Sequence, residues 1–250
     1  MKLKLLLFIF LVFVLILSFE SFSFKKQEQY SPVAVIELFS SQGCSSCPPA
    51  DKLLSKTLAK VDKSKNKIFA LSFHVDYWDY LGWKDPFSNK QFSERQSKYV
   101  RKLNLRSSYT PQIIVNGQSE FVGSNEDRLN NAIQKSITVK SDVSFKNLNA
   151  MFNDKKELKV SYELIGNFKN CEIHFALISL KETTIIRKGE NAGLTLISEN
   201  VVKQFFTVEA DEKGEVFLKG LIMPDNEIIA YIQQNNSFKI VGATQAKISK

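Results

Sequence analysis

Two runs of almost entirely apolar residues dominate the first third of the chain and predict strands buried on both faces. They span residues 33–39 and 67–75. Between them, apolar residues recur on one face of a predicted helix over residues 50–61, and lysines occupy another face. Pro48 and Pro49 precede this helix, and proline is tolerated only in the first turn of a helix. We therefore expect the helix to begin close to these two prolines.

The next part of the chain predicts a helix, a hairpin and a further helix. Residues 89–103 place apolar side chains on one helical face. Asn116-Gly117 separates two β-rich runs, 112–115 and 118–122, and this dipeptide is a strong hairpin signal. A capping-box pattern then indicates a helix that ends near residue 137.

From about residue 141 the pattern changes to short runs of alternating apolar and polar residues separated by turn signals. The predicted strands are 158–164, 171–180, 201–208, 216–219, 227–233 and 238–248. Such spacing is typical of an antiparallel β-sandwich of about seven strands. We therefore predict an α/β domain over residues 31–140, followed by an all-β antiparallel sandwich domain over residues 141–250.

The N-terminal segment has the pattern of an export signal. Lys2 and Lys4 precede an apolar run over residues 5–17, and Ser21 and Ser23 are suitably small for a cleavage site. We predict a signal peptide over residues 1–23, and therefore a periplasmic or extracellular protein. The alternative is that this segment is retained as a membrane anchor, although the apolar run is short for a full span.

Composition is that of an ordinary globular protein, with 44% hydrophobic residues among 250 and a net charge of +8. The positive charges are scattered, and no arginine-rich run with interleaved aromatics occurs, so we expect no nucleic-acid partner. Contact with a membrane is expected only through the signal segment, if that segment is retained.

Only three cysteines occur, too few for a framework of disulfides in an exported chain of this length. Cys44 and Cys47 form a C-x-x-C pair between a predicted strand and a predicted helix. The N–H groups at a helix N-terminus favour a thiolate, so we expect Cys44 to attack disulfides and Cys47 to resolve the mixed disulfide. The alternative, a purely structural disulfide, would add little stability because the closed loop is so short.

Several polar residues follow strands or interrupt them and are candidates for accessory roles. Glu37 is either an outward-facing edge residue, the interpretation we favour, or a buried proton acceptor beneath the cysteines. His74 begins a loop containing Asp76 and Trp78, which either lines a substrate groove or packs into the core. Two thiolates and the His74 imidazole would also suit copper(I), although a structural histidine is the more common case.

The second half of the chain supplies further candidates. Glu190 and Asn191 lie in a glycine-flanked loop that either caps the active site or forms a plain turn. Cys171 and His174 are three residues apart on a predicted strand and so face opposite sides of it. We expect Cys171 to be a free, buried thiol.

The first half resembles the thioredoxin superfamily through Cys44-Ser45-Ser46-Cys47 and through Thr110-Pro111 just before the hairpin. The resemblance implies a thioredoxin-like fold for residues 31–140. It also implies a cis proline that packs against the cysteines, so that Thr110 and Pro111, with Trp78 from the aromatic loop, form a substrate-binding surface.

The chain is also similar to a more specific family of secreted thioredoxin-like proteins, the domain of unknown function 1223 family. The motifs that carry this similarity are residues 37–39, 41–51, 74–79, 82–87, 109–112 and 189–193.

These observations predict an exported thiol–disulfide oxidoreductase. Its partners would be protein or small-molecule thiols and disulfides, together with a redox partner that resets the cysteine pair. No organic cofactor is expected. The alternative function is a copper(I)-binding or protein-docking module in which the disulfide is not catalytic.

Overall fold

The computed structural model describes residues 28–60, 67–154, 157–220, 222–223 and 225–249. The signal peptide predicted over residues 1–23 lies outside these residues. No helix in the described part of the chain is both long and apolar enough to span a membrane.

The elements follow in the order β1 (Ala34–Ser40), α1 (Pro48–Lys60), β2 (Ile68–His74), α2 (Lys90–Lys102), β3 (Gln112–Val115), β4 (Ser119–Val122), α3 (Glu126–Ser136), β5 (Val143–Phe152), β6 (Leu158–Gly166), β7 (Cys171–Ile185), β8 (Thr195–Glu209), β9 (Lys213–Leu218), β10 (Asn226–Gln234) and β11 (Ile240–Ser249).

The strands form one mixed sheet in the order β4-β3-β1-β2-β8-β7-β10-β11-β5-β6-β9. Strand β1 runs parallel to β2 and antiparallel to β3. Strand β8 joins the two halves of the chain, because it pairs with β2 in parallel, with Ser72 opposite Val201, and with β7 antiparallel. Strands from the second half therefore continue the sheet that the first half begins.

The local signals in the first half produce the elements they predict. Helix α1 begins at Pro48, and the side chains of Asn89 and Asn125 cap α2 and α3 by accepting backbone N–H groups. The hairpin turn places Asn116 at φ 48° and Gly117 at φ 67°, the left-handed region that these two residues tolerate best. The predicted helices and hairpin are thus confirmed.

Three apolar cores hold the sheet and helices together. One lies between α1, α3 and the face of β1 that carries Ala34, Ile36 and Leu38. The second contains the opposite face of β1 and β2, helix α2, and residues of β7, β8 and β10. The third lies between β5, β6 and β9 on one side and β7 and β10 on the other. The second core therefore includes side chains from both halves of the chain.

The described residues of the second half form seven strands, and six of these strands match predicted runs. Strand β5 was not predicted. A bulge between Phe145 and Asn147 shifts its register against β6, which breaks the alternation of its apolar residues. The thioredoxin-like and sandwich assignments, and the boundary at residue 140, stay predictions.

Candidate functional site

The cysteine loop ends β1 and leads directly into helix α1. Cys44 and Cys47 form a disulfide with their Cα atoms 5.4 Å apart. The carbonyl of Cys47 accepts the backbone N–H groups of Ala50 at 2.9 Å and Asp51 at 3.2 Å. Cys47 therefore lies at the N-terminus of the helix, where unpaired N–H groups and the helix dipole stabilise negative charge.

A chain of hydrogen bonds ends on the sulfur of Cys44. Trp78 Nε1 donates to Thr110 Oγ1 over 2.8 Å, and the Thr110 hydroxyl donates to Cys44 Sγ over 3.2 Å. The Ser46 hydroxyl lies 3.3 Å from the same sulfur. Hydrogen bonds arranged in series polarise one another. The structure thus brings Trp78 and Thr110 to Cys44, and the bond between Thr110 and Pro111 is cis, as the resemblance implied.

The turn between β7 and β8 reaches from the second half of the chain onto the cysteine loop. The Asn191 side-chain amide donates to the carbonyls of Gln42 at 2.9 Å and Cys44 at 3.0 Å. Glu190 accepts the Ser45 backbone N–H at 3.1 Å. Gly189, at φ 79°, lets this turn approach the aromatic loop, since an added Cβ would lie 3.1 Å from Trp83 Cβ. Residues 190 and 191 thus lie in a turn that contacts the cysteine loop, and the prediction that this turn caps an active site stays a prediction.

The disulfide itself is shielded from solvent. Cys44 is 1% exposed and Cys47 is 0% exposed, whereas Ser45 and Ser46 between them are exposed. Trp78 packs closely on Gly43, where an added Cβ would lie 3.3 Å from Trp78 Cβ. Ser45 and Ser46, rather than the two sulfur atoms, therefore form the exposed part of this loop.

A buried ion pair supports the cysteine loop from beneath. Asp85 Oδ2 lies 2.7 Å from His74 Nδ1 and accepts the Gln42 backbone N–H at 2.8 Å. Burial would lower the pKa of His74, but the Asp85 carboxylate and its hydrogen bond raise it above the ordinary value. Burial alone would raise the pKa of Asp85. The charge of His74 and the hydrogen bonds that Asp85 accepts outweigh burial, so the pKa of Asp85 is lowered. His74 therefore positions the cysteine loop through Asp85.

A second carboxylate, that of the partly exposed Asp51, lies on the first turn of α1. Its Oδ2 accepts the Ser40 hydroxyl at 3.1 Å, and its Oδ1 is buried with no hydrogen-bond partner in the described part of the chain. Burial raises the pKa of Asp51 to about 7, although the His74 charge and the Ser40 hydrogen bond act in the opposite direction. Asp51 is thus a group that can gain or lose a proton near neutral pH.

Glu37 is buried rather than facing outward, so the favoured orientation was wrong. Its carboxylate accepts from Arg95 Nε at 2.7 Å, from the Tyr231 hydroxyl at 2.9 Å and from the Tyr99 hydroxyl. The side chain points into the core shared by α2 and β10, on the opposite face of β1 from helix α1. These partners lie on α2 and β10, so Glu37 joins elements of the fold.

The Asp76 carboxylate is directed to helix α2, where it accepts the Ser93 hydroxyl at 2.5 Å. Cys171 is a free, buried thiol, as expected. Among the described residues, no group of three or more His, Cys, Asp or Glu side chains is arranged to hold a metal ion. The copper(I) alternative stays a prediction.

Comparison with known protein families identifies the family to which this chain belongs. A family model described as "Protein of unknown function (DUF1223)" matches residues 35–230. The chain belongs to the DUF1223 family. The match confirms the family expected from the motifs, and it includes both the cysteine loop and the β7–β8 turn that contacts it. No curated protein matches the chain.

Two solved structures are similar over most of the DUF1223 chain. Protein AGR_C_4864 from Agrobacterium tumefaciens is 28% identical with a TM-score of 0.66, over 88% of this chain and 96% of that one. HBP35 of Porphyromonas gingivalis is 14% identical with a TM-score of 0.59, over 88% of this chain and 76% of that one. The second likeness concerns the fold alone.

Two acidic residues of this site, Asp51 and Asp85, were not predicted from the sequence as site residues, although signals for them exist. Asp51 follows Cys47 by four residues, which places both side chains on one face of a helix. Asp85 lies in the aromatic, polar segment that follows β2, and His74 is the last residue of that strand. Both residues lie in segments with a predicted role, but the sequence analysis names Glu37 and Asp76 as the acidic accessory candidates near them.

Proposed function

We propose that the protein catalyses thiol–disulfide exchange through Cys44 and Cys47. The observation that carries the proposal is the setting of Cys44 Sγ, which accepts the Thr110 hydroxyl hydrogen bond beside the N-terminus of α1. A donor and a helix terminus at the same sulfur stabilise the thiolate, which is the attacking species and also the better leaving group. Such a setting supports an exchanging disulfide rather than a purely structural one.

The reaction proceeds in two displacement steps. A substrate thiolate attacks Cys44 Sγ, the Cys44–Cys47 bond breaks, and Cys47 leaves as a thiolate that takes up a proton. A second substrate thiol, having lost its proton, then attacks the substrate sulfur of the mixed disulfide and releases Cys44. The substrate loses two electrons and two protons, and the cysteine pair gains them. The reverse sequence reduces a substrate disulfide.

The surroundings of Cys44 support the same assignment of roles. Cys47 is fully buried, whereas Cys44 is bordered by exposed Ser45 and Ser46 and by the partly exposed Thr110. Cys44 is therefore the sulfur that a substrate meets first when the Ser46 and Thr110 side chains rotate. The Thr110 carbonyl, which the Ser46 hydroxyl contacts at 3.4 Å, becomes available to a substrate N–H in the same movement.

A thioredoxin-like architecture and export to the periplasm or the cell exterior are part of this proposal. An oxidising compartment maintains the disulfide form of the pair between turnovers, and a separate redox partner sets the direction of electron flow. The predicted signal segment at residues 1–23 supports this location.

An insulin-reduction assay with dithiothreitol tests the proposal. The wild-type protein is expected to accelerate reduction in proportion to its concentration, because Cys44 offers a more reactive sulfur than the substrate disulfide does. Cys171→Ser is the matched control and should leave the rate unchanged, since this free thiol is buried away from the site. Equal rates with and without the wild-type protein would overturn the proposal.

A further inference from the structure

The turn that joins β7 to β8 brings a carboxylate to Cys44 from the second half of the chain. Glu190 Oε2 accepts the Ser45 backbone N–H at 3.1 Å. Ser45 directly follows Cys44, so the covalent geometry of the chain keeps this carboxylate oxygen within about 8 Å of Cys44 Sγ. A substrate whose sulfur is bonded to Cys44 therefore lies close to the negative charge of Glu190.

Hydrogen bonds fix the backbone of this turn against the cysteine loop. The Asn191 side-chain amide donates both of its N–H groups, one to the Gln42 carbonyl and one to the Cys44 carbonyl, and the residue is only 4% exposed. Gln42 Nε2 also donates to Thr184 Oγ1 of β7 at 2.9 Å, which attaches the hairpin at a second point. Glu190 therefore extends from a turn whose position relative to Cys44 is set by its neighbours.

The Glu190 carboxylate has no cation bound to it among the described residues. Arg187 and Lys188 lie close to it in sequence and are exposed, but neither forms an ion pair with Glu190. Glu190 is exposed as well, so its charge acts on molecules that approach the cysteine loop from solvent.

The hydrogen-bonding groups at Cys44 Sγ carry no charge. They are the hydroxyl groups of Ser46 at 3.3 Å and Thr110 at 3.2 Å. Asp85 also contacts the cysteine loop, but its carboxylate is buried and is shared with His74 beneath the loop. The second half of the chain therefore supplies an exposed negative charge next to a sulfur whose hydrogen-bonding neighbours are neutral.

We propose that Glu190 selects substrates by charge, disfavouring those with acidic groups beside the reacting sulfur and favouring those with basic groups there. The inference rests on the proposed thiol–disulfide exchange. Glu190 takes no part in the bonds that form and break; it raises or lowers the free energy of the mixed disulfide and of the steps that lead to it, at a separation comparable to the screening length of physiological salt. The preferred substrates are thus cysteines in neutral or basic polypeptide segments rather than acidic small-molecule thiols.

Three small disulfides separate the effect of charge from that of sulfur chemistry. They are cystamine, 2-hydroxyethyl disulfide and bis(2-sulfonatoethyl) disulfide, which are cationic, neutral and anionic in that order. Reduced protein in a Cys171→Ser background is mixed with an excess of each, and formation of the Cys44–Cys47 disulfide is followed by acid quench, alkylation and mass. Each disulfide is compared with itself in wild type and in Glu190→Gln, so differences in leaving-group pKa cancel.

Glu190→Gln removes the charge and keeps an oxygen that can accept the Ser45 N–H. Relative to the neutral disulfide, the variant should react about threefold faster with the anionic disulfide and about threefold more slowly with the cationic one. Glu190→Asp keeps the charge and should keep the wild-type order of rates, whereas Glu190→Lys should give a larger change than Glu190→Gln. At about 1 M salt, where the screening length is about 3 Å, wild type and all variants should show the same relative rates.

Glu215→Gln is the matched control for the change in net charge. Glu215 is an exposed residue that pairs with Lys159 on β9, at the opposite edge of the sheet from β3 and β4, and its removal should leave the relative rates unchanged. If Glu190→Gln and Glu190→Lys both gave the relative rates of wild type at low salt, the role of Glu190 would be overturned while thiol–disulfide exchange stayed intact. A reduced pair that none of the three disulfides oxidises would overturn the proposed function itself.

Discussion

Replacing Arg95 with alanine is expected to lower the free energy of unfolding by about 3–5 kcal/mol, because Glu37 would remain buried without its cation. Glu37 is 0% exposed and Arg95 only 7% exposed, and their side chains meet at 2.7 Å. The guanidinium also lies 4.9–5.9 Å from four aromatic ring centroids, those of Phe73, Tyr99, Phe205 and Tyr231. Truncation therefore removes packing as well as charge.

Urea unfolding followed by circular dichroism measures this loss. Lys90→Ala on the same helix is the matched control, since the Lys90–Glu94 pair is exposed and should matter little. The double variant Arg95→Met with Glu37→Gln should unfold at a higher urea concentration than Arg95→Ala, because it leaves no unpaired buried charge. A loss of less than about 1 kcal/mol for Arg95→Ala would show that this buried pair contributes little to the stability of the fold.

The two cysteines are expected to respond differently to substitution. With Cys171→Ser as background, reduced Cys47→Ser should accumulate a stoichiometric mixed disulfide with oxidised glutathione, because Cys44 attacks and nothing resolves the adduct. Cys44→Ser should form almost none, since Cys47 is 0% exposed and lies behind Cys44. Intact mass after acid quench distinguishes the two outcomes.

A separate variant that carries Cys44→Ser and Cys47→Ser but keeps Cys171 offers a comparison for this experiment. Burial raises the pKa of the Cys171 thiol, so it should react slowly even though it is free. If Cys44, Cys47 and Cys171 formed adducts to the same extent, Cys44 would have no special reactivity, which would contradict its assigned role. Faster reaction at Cys47 than at Cys44 would reverse the assigned roles.

The elements of the first half were predictable because each carries its own local signal. Asn116 and Gly117 adopt the positive φ values that their hairpin turn needs, and Asn125 caps the helix that its capping box predicts. None of these depends on residues far away in the chain. The cysteine pair was predictable for the same reason, since a strand, a C-x-x-C pair and a proline-initiated helix follow one another directly.

The remaining features depend on distant partners. Glu37 is buried because Arg95 and Tyr231 reach it from 58 and 194 residues away, which no local pattern records. Strand β5 was missed because its bulge interrupts the period of two. The pairing of β8 with β2 and the contact of Asn191 with the cysteine loop likewise arise only when the two halves of the chain meet.

Equilibration of the wild-type protein in glutathione redox buffers tests the central claim most directly, with the fraction of Cys44–Cys47 disulfide counted by alkylation and mass. An exchanging pair should follow a reversible two-electron curve, with a midpoint between about −270 and about −120 mV. A disulfide that stays fully formed below about −300 mV would behave as a structural bond and would contradict the account.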